Sequence, residues 1–197
     1  KKSELSKKWK TREIILDKKF YIYLPLSIAA PFISTGLMFH QIFIINQKNW
    51  TLEMFASGYV FLGFFSVIGL VFGGPIIDKF NTKRLIIYTL LPLFLGVLTL
   101  VFFKSYVSMY IYLSLLGLNM GIGAPFIGSL WAELYGSESL GTVKALLQAC
   151  VVCASALSPV IFGYIIDLGM GIVAISFISF TIIIIATTLA IIYRNSL

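Results

Sequence analysis

Apolar residues along this chain fall into six long blocks divided by short polar stretches, near 20–46, 54–77, 84–103, 106–133, 141–166 and 172–193. A bilayer core about 30 Å thick needs about 20 helical residues at about 1.5 Å rise each, and every block meets that length. Every Asp, Glu, Lys and Arg lies outside the blocks or at their edges. The pattern therefore predicts six transmembrane helices. Because the connections are short, neighbouring helices run antiparallel and pack as one bundle. The expected organisation is an all-α membrane protein with a basic linker at 1–19, a six-helix transmembrane domain at 20–193 and a short tail at 194–197.

Composition agrees. The 197 residues are 59% hydrophobic and 12% charged, with a mean hydropathy of +0.97, whereas a soluble domain carries roughly twice that charged fraction. A water-soluble globule is excluded on this ground. The net charge of +7 does not point to nucleic acid, because no basic stripe with interleaved aromatics runs along any segment. Instead, eight of the 15 basic residues lie between Lys1 and Lys19. The arm, the stretch 78–84 with Lys79, Lys83 and Arg84, the region 134–144 with Lys144, and the tail with Arg194 all fall on one side. The other side holds Lys48 and Lys104. The positive-inside rule then puts both termini in the cytoplasm and the bundle in a plasma or inner membrane. The segment Lys1–Lys19 begins without Met and has no apolar core for a signal peptide, so it reads as a cytoplasmic linker within a longer chain.

An internal repeat organises the six spans. Ser66–Asp78 and Ser155–Asp167 share six of thirteen positions at an offset of 89 residues: Ser66/Ser155, Val71/Val160, Gly74/Gly163, Ile76/Ile165, Ile77/Ile166 and Asp78/Asp167. Both segments end the middle helix of a three-helix unit, and an odd number of helices separates the units. Asp78 and Asp167 then lie on opposite sides, as two inverted three-helix repeats require.

The loop after the second block reads Gly74-Pro75-Ile76-Ile77-Asp78-Lys79-Phe80-Asn81-Thr82-Lys83-Arg84. It places a carboxylate at a helix C-terminus, where the dipole repels it, beside cations that could pair with it. Asn81 is a residue that tolerates positive φ in such a turn. In this loop the chain resembles the major facilitator superfamily, whose motif runs Gly-x-x-x-Asp-Arg/Lys-x-Gly-Arg-Arg/Lys. Gly74, Asp78, Lys79 and Lys83 match it, while Asn81 replaces a Gly and Thr82 a basic residue. Trp131-Ala-Glu133-Leu-Tyr-Gly136 with Gly141-Thr-Val-Lys144 is similar to the family's connection between the tenth and eleventh helices. Lys10 to Phe20 is similar to the lead into the seventh. The resemblance covers the whole chain and implies half of a twelve-helix facilitator fold, the C-terminal six-helix half. It also implies a gating role for Gly74, Asp78, Lys79, Lys83 and Arg84, with the N-terminal six-helix half of the same transporter as partner.

By the same resemblance the first and fourth helices line the substrate cavity. Both carry backbone-breaking residues: Pro25, Pro31 and Gly36 on the first, and Gly117, Gly121, Gly123 and Pro125 on the fourth. Four side chains are candidate substrate contacts: His40, Gln41, Asn119 and Gln148. His40 is the sole histidine and the span residue that titrates near neutrality, so it marks a proton as candidate coupling ion; the competing reading is a hydrogen bond near the helix end. Gln41 and Asn119 could equally bind a neighbouring helix. Cys150-Val-Val-Cys153 lies mid-helix without a second pair and reads as packing, so no metal or cofactor is expected. Gly117, Gly121 and Gly128 form a small-residue stripe suited to close helix contact. With one His and no acid inside the spans, an intramembrane enzyme lacks its chemistry. The expectation is secondary active transport of a small solute by alternating access, in the lipid bilayer. The alternative is a self-contained six-helix protein that dimerises as a channel or symmetric transporter.

Overall fold

A computed structural model describes residues 8–193, which are helical with no strand among them. The predicted tail at 194–197 and the first seven residues of the linker lie outside the described residues. A short helix α1 (Thr11–Leu16) leads into α2 (Lys18–Phe39), α3 (Gln41–Lys48) and α4 (Leu52–Phe80). The third span starts as α5 (Thr82–Leu85), passes through a 3-10 turn at Ile86–Tyr88 and ends as α6 (Leu91–Phe102). Then come α7 (Tyr106–Tyr135), α8 (Leu140–Asp167) and α9 (Ile172–Ile192). Six of these segments are long and apolar enough to cross a membrane, and they coincide with the six apolar blocks.

Side-chain caps fix several helix starts. Asp17 Oδ1 accepts from the Lys19 amide at 3.0 Å, Thr51 Oγ1 from Met54 at 3.3 Å and Ser105 Oγ from Ser108 at 3.2 Å. Each satisfies a backbone donor that the first turn leaves orphaned. The first block is not one continuous helix. Pro25 and Pro31 lie inside α2 without ending it; the break comes at His40, whose φ of −95° and ψ of 24° separate α2 from α3.

Packing follows the inverted repeat. Helix α4 lies along α7, and α8 lies along α2 in the equivalent arrangement; α6 rests on α7 as α9 rests on α2, and α6 and α9 touch each other. The α4–α7 contact is close because Gly69, Gly117 and Gly121 remove side chains where the backbones meet. A Cβ on Gly117 would stand 2.1 Å from the Leu62 carbonyl oxygen, and one on Gly121 2.1 Å from that of Ser66. Without a water-driven hydrophobic effect between spans, such close approach is a main source of helix association.

The charged segments sort to two ends. At one, the Trp9 amide donates to Ser139 Oγ at 2.8 Å and the Tyr135 hydroxyl to Asp17 Oδ2 at 3.0 Å. At the other, the Lys48 ammonium donates to the Phe103 carbonyl and the Trp50 indole to that of Lys104, each at 2.8 Å.

Candidate functional site

A cavity of about 520 Å³ opens between α2, α7, α8 and the break in the third span just after its 3-10 turn. Small residues leave the space: Ala30 beside Pro31 on α2, and Gly123, Ala124 and Gly128 on α7. Most of its polar wall is already engaged. Ser27 Oγ accepts from the Trp131 indole at 3.0 Å and donates to the Tyr23 carbonyl, and Ser34 Oγ donates to that of Pro31. Thr89 Oγ1 donates to the Leu85 carbonyl at 3.0 Å. These bonds satisfy hydroxyls that lipid or apolar packing could not.

Two of the four sequence-derived candidates border this cavity. Asn119 is 2% exposed and its amide nitrogen donates to the Thr89 carbonyl at 2.9 Å, which leaves its carbonyl oxygen and its second N–H for the cavity. Gln148 is exposed to the cavity from α8 and has no hydrogen-bond partner among the described residues. His40 and Gln41 stand outside the lining. His40 Nε2 meets the Pro159 carbonyl of α8, and Gln41 Oε1 accepts a hydrogen bond from the Tyr59 hydroxyl of α4. Gln47 continues the pattern by accepting from the Ile172 amide at 2.7 Å. Thus α3 and its flanks tie the far end of the bundle to four other spans.

The sequence puts Lys144, Gln148, Ser155 and Pro159 at helical spacing on one polar stripe, and the structure brings Lys144 to the lining with Gln148. Lys144 belongs to the second turn of α8 and borders the cavity one helical turn from Gln148. Its ammonium reaches toward α7, 4.0 Å from where a Gly128 Cβ would stand, and takes no acidic partner among the described residues. The i, i+4 spacing to Gln148 was the available signal. Gly128, the third member of the small-residue stripe, therefore serves the cavity, whereas Gly117 and Gly121 serve the α4 contact.

The loop motif occupies the end that also holds Trp9 and Asp17. Gly74 and Asp78 close α4; Asp78, Lys79 and Arg84 are exposed, Lys83 is half-buried, and the Lys79 ammonium sits 5.5 Å from the Phe80 ring centre. Asp78 has no ion-pair partner among the described residues. Asn81 takes φ 68° and ψ 143°, the same unusual region as Gly136 at φ 77° and ψ 160°; each ends a long span and starts a short helical turn. Thr82, fully buried, hydrogen-bonds Ser129 at 2.8 Å and donates to the Glu133 carboxylate, so a hydroxyl links this loop to the end of α7. Sequence reading noted Thr82 as a departure from the motif and missed this contact. On α8, Cys150 is half-buried and Cys153 exposed, both as free thiols.

Six membrane-crossing helices in two inverted triplets, with a partly polar cavity between the first helix of each, define a solute-carrier architecture. The family model described as Major Facilitator Superfamily matches residues 7–196, and the chain belongs to that family. It is an integral membrane protein of a solute-transporting family, not an enzyme. A protein named D-xylose transporter from Levilactobacillus brevis is 30% identical over 121 residues, covering 59% of this chain. The match spans 26% of that relative's own length.

Proposed function

We propose that this chain is the C-terminal six-helix half of a secondary active transporter that moves a small solute by alternating access. The carrying observation is the cavity between α2 and α7, the helices that begin the two inverted units, in a bundle otherwise packed with apolar side chains. Rocking of two such halves about a midplane cavity exposes it to each side in turn. In this reading residues 1–19 are a cytoplasmic linker, 20–193 the transmembrane domain and 194–197 a cytoplasmic tail. The N-terminal six-helix half is the partner, and both termini face the cytoplasm of a plasma or inner membrane. The gathering of Lys and Arg at the end with Trp9 and Thr82 supports that orientation.

Asn119 and Gln148 contact the solute, and Gly74, Asp78, Lys79, Lys83 and Arg84 gate the cytoplasmic side. The exposed, unpaired Asp78 suits a contact made with the other half in one of the two states. The bonds of His40 and Gln41 to α8 and α4 suit anchors of the far end, and a coupling proton taken up by His40 would enter at Nδ1 and leave the Nε2 bond to α8 in place.

The test is uptake by the full-length protein in proteoliposomes, with labelled sugars, small acids and amphipathic compounds, with and without a pH gradient. Saturable uptake that Asp78→Ala abolishes is expected. Absence of flux for the whole panel, from protein verified as folded, would overturn the reading.

A further inference from the structure

We infer that the cavity takes a small organic monoanion, its carboxylate held by Lys144 and Gln148 and its apolar body lying against α2 and α7. This rests on the transport reading above and names the class of solute that the same cavity accepts. The argument begins with charge. Lys144 is the one ionisable side chain in the lining, and no Asp or Glu borders the cavity among the described residues. An ammonium beside a space walled largely by Leu26, Ala30, Leu90, Met120 and Ile127 makes the potential there positive.

Geometry adds a second donor. Residues four apart on a helix have Cβ atoms about 5–6 Å apart on one face, so Lys144 and Gln148 present an ammonium and an amide to the cavity from the same side of α8, within reach of the two oxygens of one carboxylate. Charge-assisted hydrogen bonds of this kind are roughly twice as strong as neutral ones.

The remaining polar groups disfavour a polyhydroxylated neutral solute. The hydroxyl protons of Ser27, Ser34 and Thr89 go to backbone carbonyls, and one Asn119 N–H goes to Thr89. What remains to donate is Lys144, Gln148, the Thr35 hydroxyl and the second Asn119 N–H, while the hydroxyl oxygens can only accept. A pentose would meet few donors for its hydroxyl oxygens and an apolar wall on most sides.

The experiment uses the full-length protein, both in detergent for ligand-induced thermal stabilisation and in proteoliposomes for uptake. Probes are a panel of aliphatic and aromatic monocarboxylates, their uncharged amides, and D-xylose. Variants are Lys144→Gln, Lys144→Arg and Gln148→Ala, each checked by size exclusion and circular dichroism. At least one carboxylate is expected to bind and enter while its amide does not. Lys144→Gln should weaken that binding about tenfold or more, with Lys144→Arg retaining most of it. Should Lys144→Gln not fold, the carboxylate-over-amide preference of wild type and Lys144→Arg decides. Binding of amides or D-xylose that is equal in wild type and Lys144→Gln, or carboxylate binding indifferent to Lys144, overturns the monoanion and leaves transport standing. A panel in which nothing binds also overturns it. The transport reading falls only when the wider uptake panel is silent too.

Discussion

His40 Nε2 lies 2.9 Å from the Pro159 carbonyl oxygen, joining the break after the first span to the fifth. A carbonyl can only accept, so the ring nitrogen facing it carries a proton in this contact. The imidazole also packs on Gly163, where a Cβ would stand 3.4 Å from His40 Cε1. His40→Ala should destabilise the protein by about 1 kcal/mol, which is about 2–4 °C in Tm for a chain of this size. His40→Gln, which retains a donor, should recover part of that loss. Thermal unfolding of both variants beside pH-gradient uptake gives the check: gradient dependence should survive in each, and its loss in a stable His40→Gln would assign the ring a protonic role.

Gly117 and Gly121 form the seam with α4, and neither can host a methyl group without moving backbone. Each Gly→Ala change should cost about 1–3 kcal/mol or more. Gly128, with only the flexible Lys144 tip at 4.0 Å, should accept Ala with little loss. Unfolding temperatures of the three purified variants test the contrast, and a sensitive Gly128 beside a tolerant Gly121 would refute the packing assignment.

Asn81 adopts a φ of 68° with an extended ψ, a region that side chains disfavour. Asn81→Gly should therefore stabilise the loop by about 1 kcal/mol, raising Tm by a few degrees. A fall in Tm would mean that the asparagine side chain contributes more than its backbone conformation costs.

Lys48 is 4% exposed at the far end of the bundle, outside the first membrane helix. Burial, and then the neighbouring Lys104 charge, hold its pKa below the usual lysine range. The folded protein gives up this proton at lower pH than the unfolded chain, whose lysines titrate near about 10.4. Between those two values the unfolded state binds more protons, so stability should rise with pH. Lys48→Met removes the titrating group and should flatten this rise, as unfolding followed from pH 7 to 10 would report.

Length and apolarity made the six spans legible, because only helices and closed β-barrels cross a bilayer with the backbone satisfied, and unbroken apolar blocks of about 20 residues fit the helix. The repeat at Asp78 and Asp167 also revealed the inverted packing before any contact was known. The break in the first span was harder. Pro25 and Pro31 are conspicuous letters, yet a proline loses only its own hydrogen bond and the helix continues past both. His40 breaks the helix where its ring reaches another span, and that partner lies 119 positions away. Lys144 was readable as part of one polar stripe with Gln148, but which neighbour that stripe faces is set by the crossing of α7 and α8. Asn119 and Gln148 were readable as polar residues in apolar helices. Gln41 was equally readable, but helices that are apolar on most sides carry no stripe to say which way a polar residue points.

The first span and its extension meet their partners late in the chain. Tyr23 donates to the Tyr193 carbonyl at 2.7 Å, Ser158 donates to that of Phe32, His40 donates to that of Pro159 and Gln47 accepts from Ile172. During synthesis His40 and Gln47 therefore emerge before their acceptor and donor exist. Their hydrogen bonds close when the fifth and sixth helices arrive, so the bundle locks shut from its last-made end. A chain cut short after the fourth of these spans would keep His40 and Gln47 without their partners on the fifth and sixth.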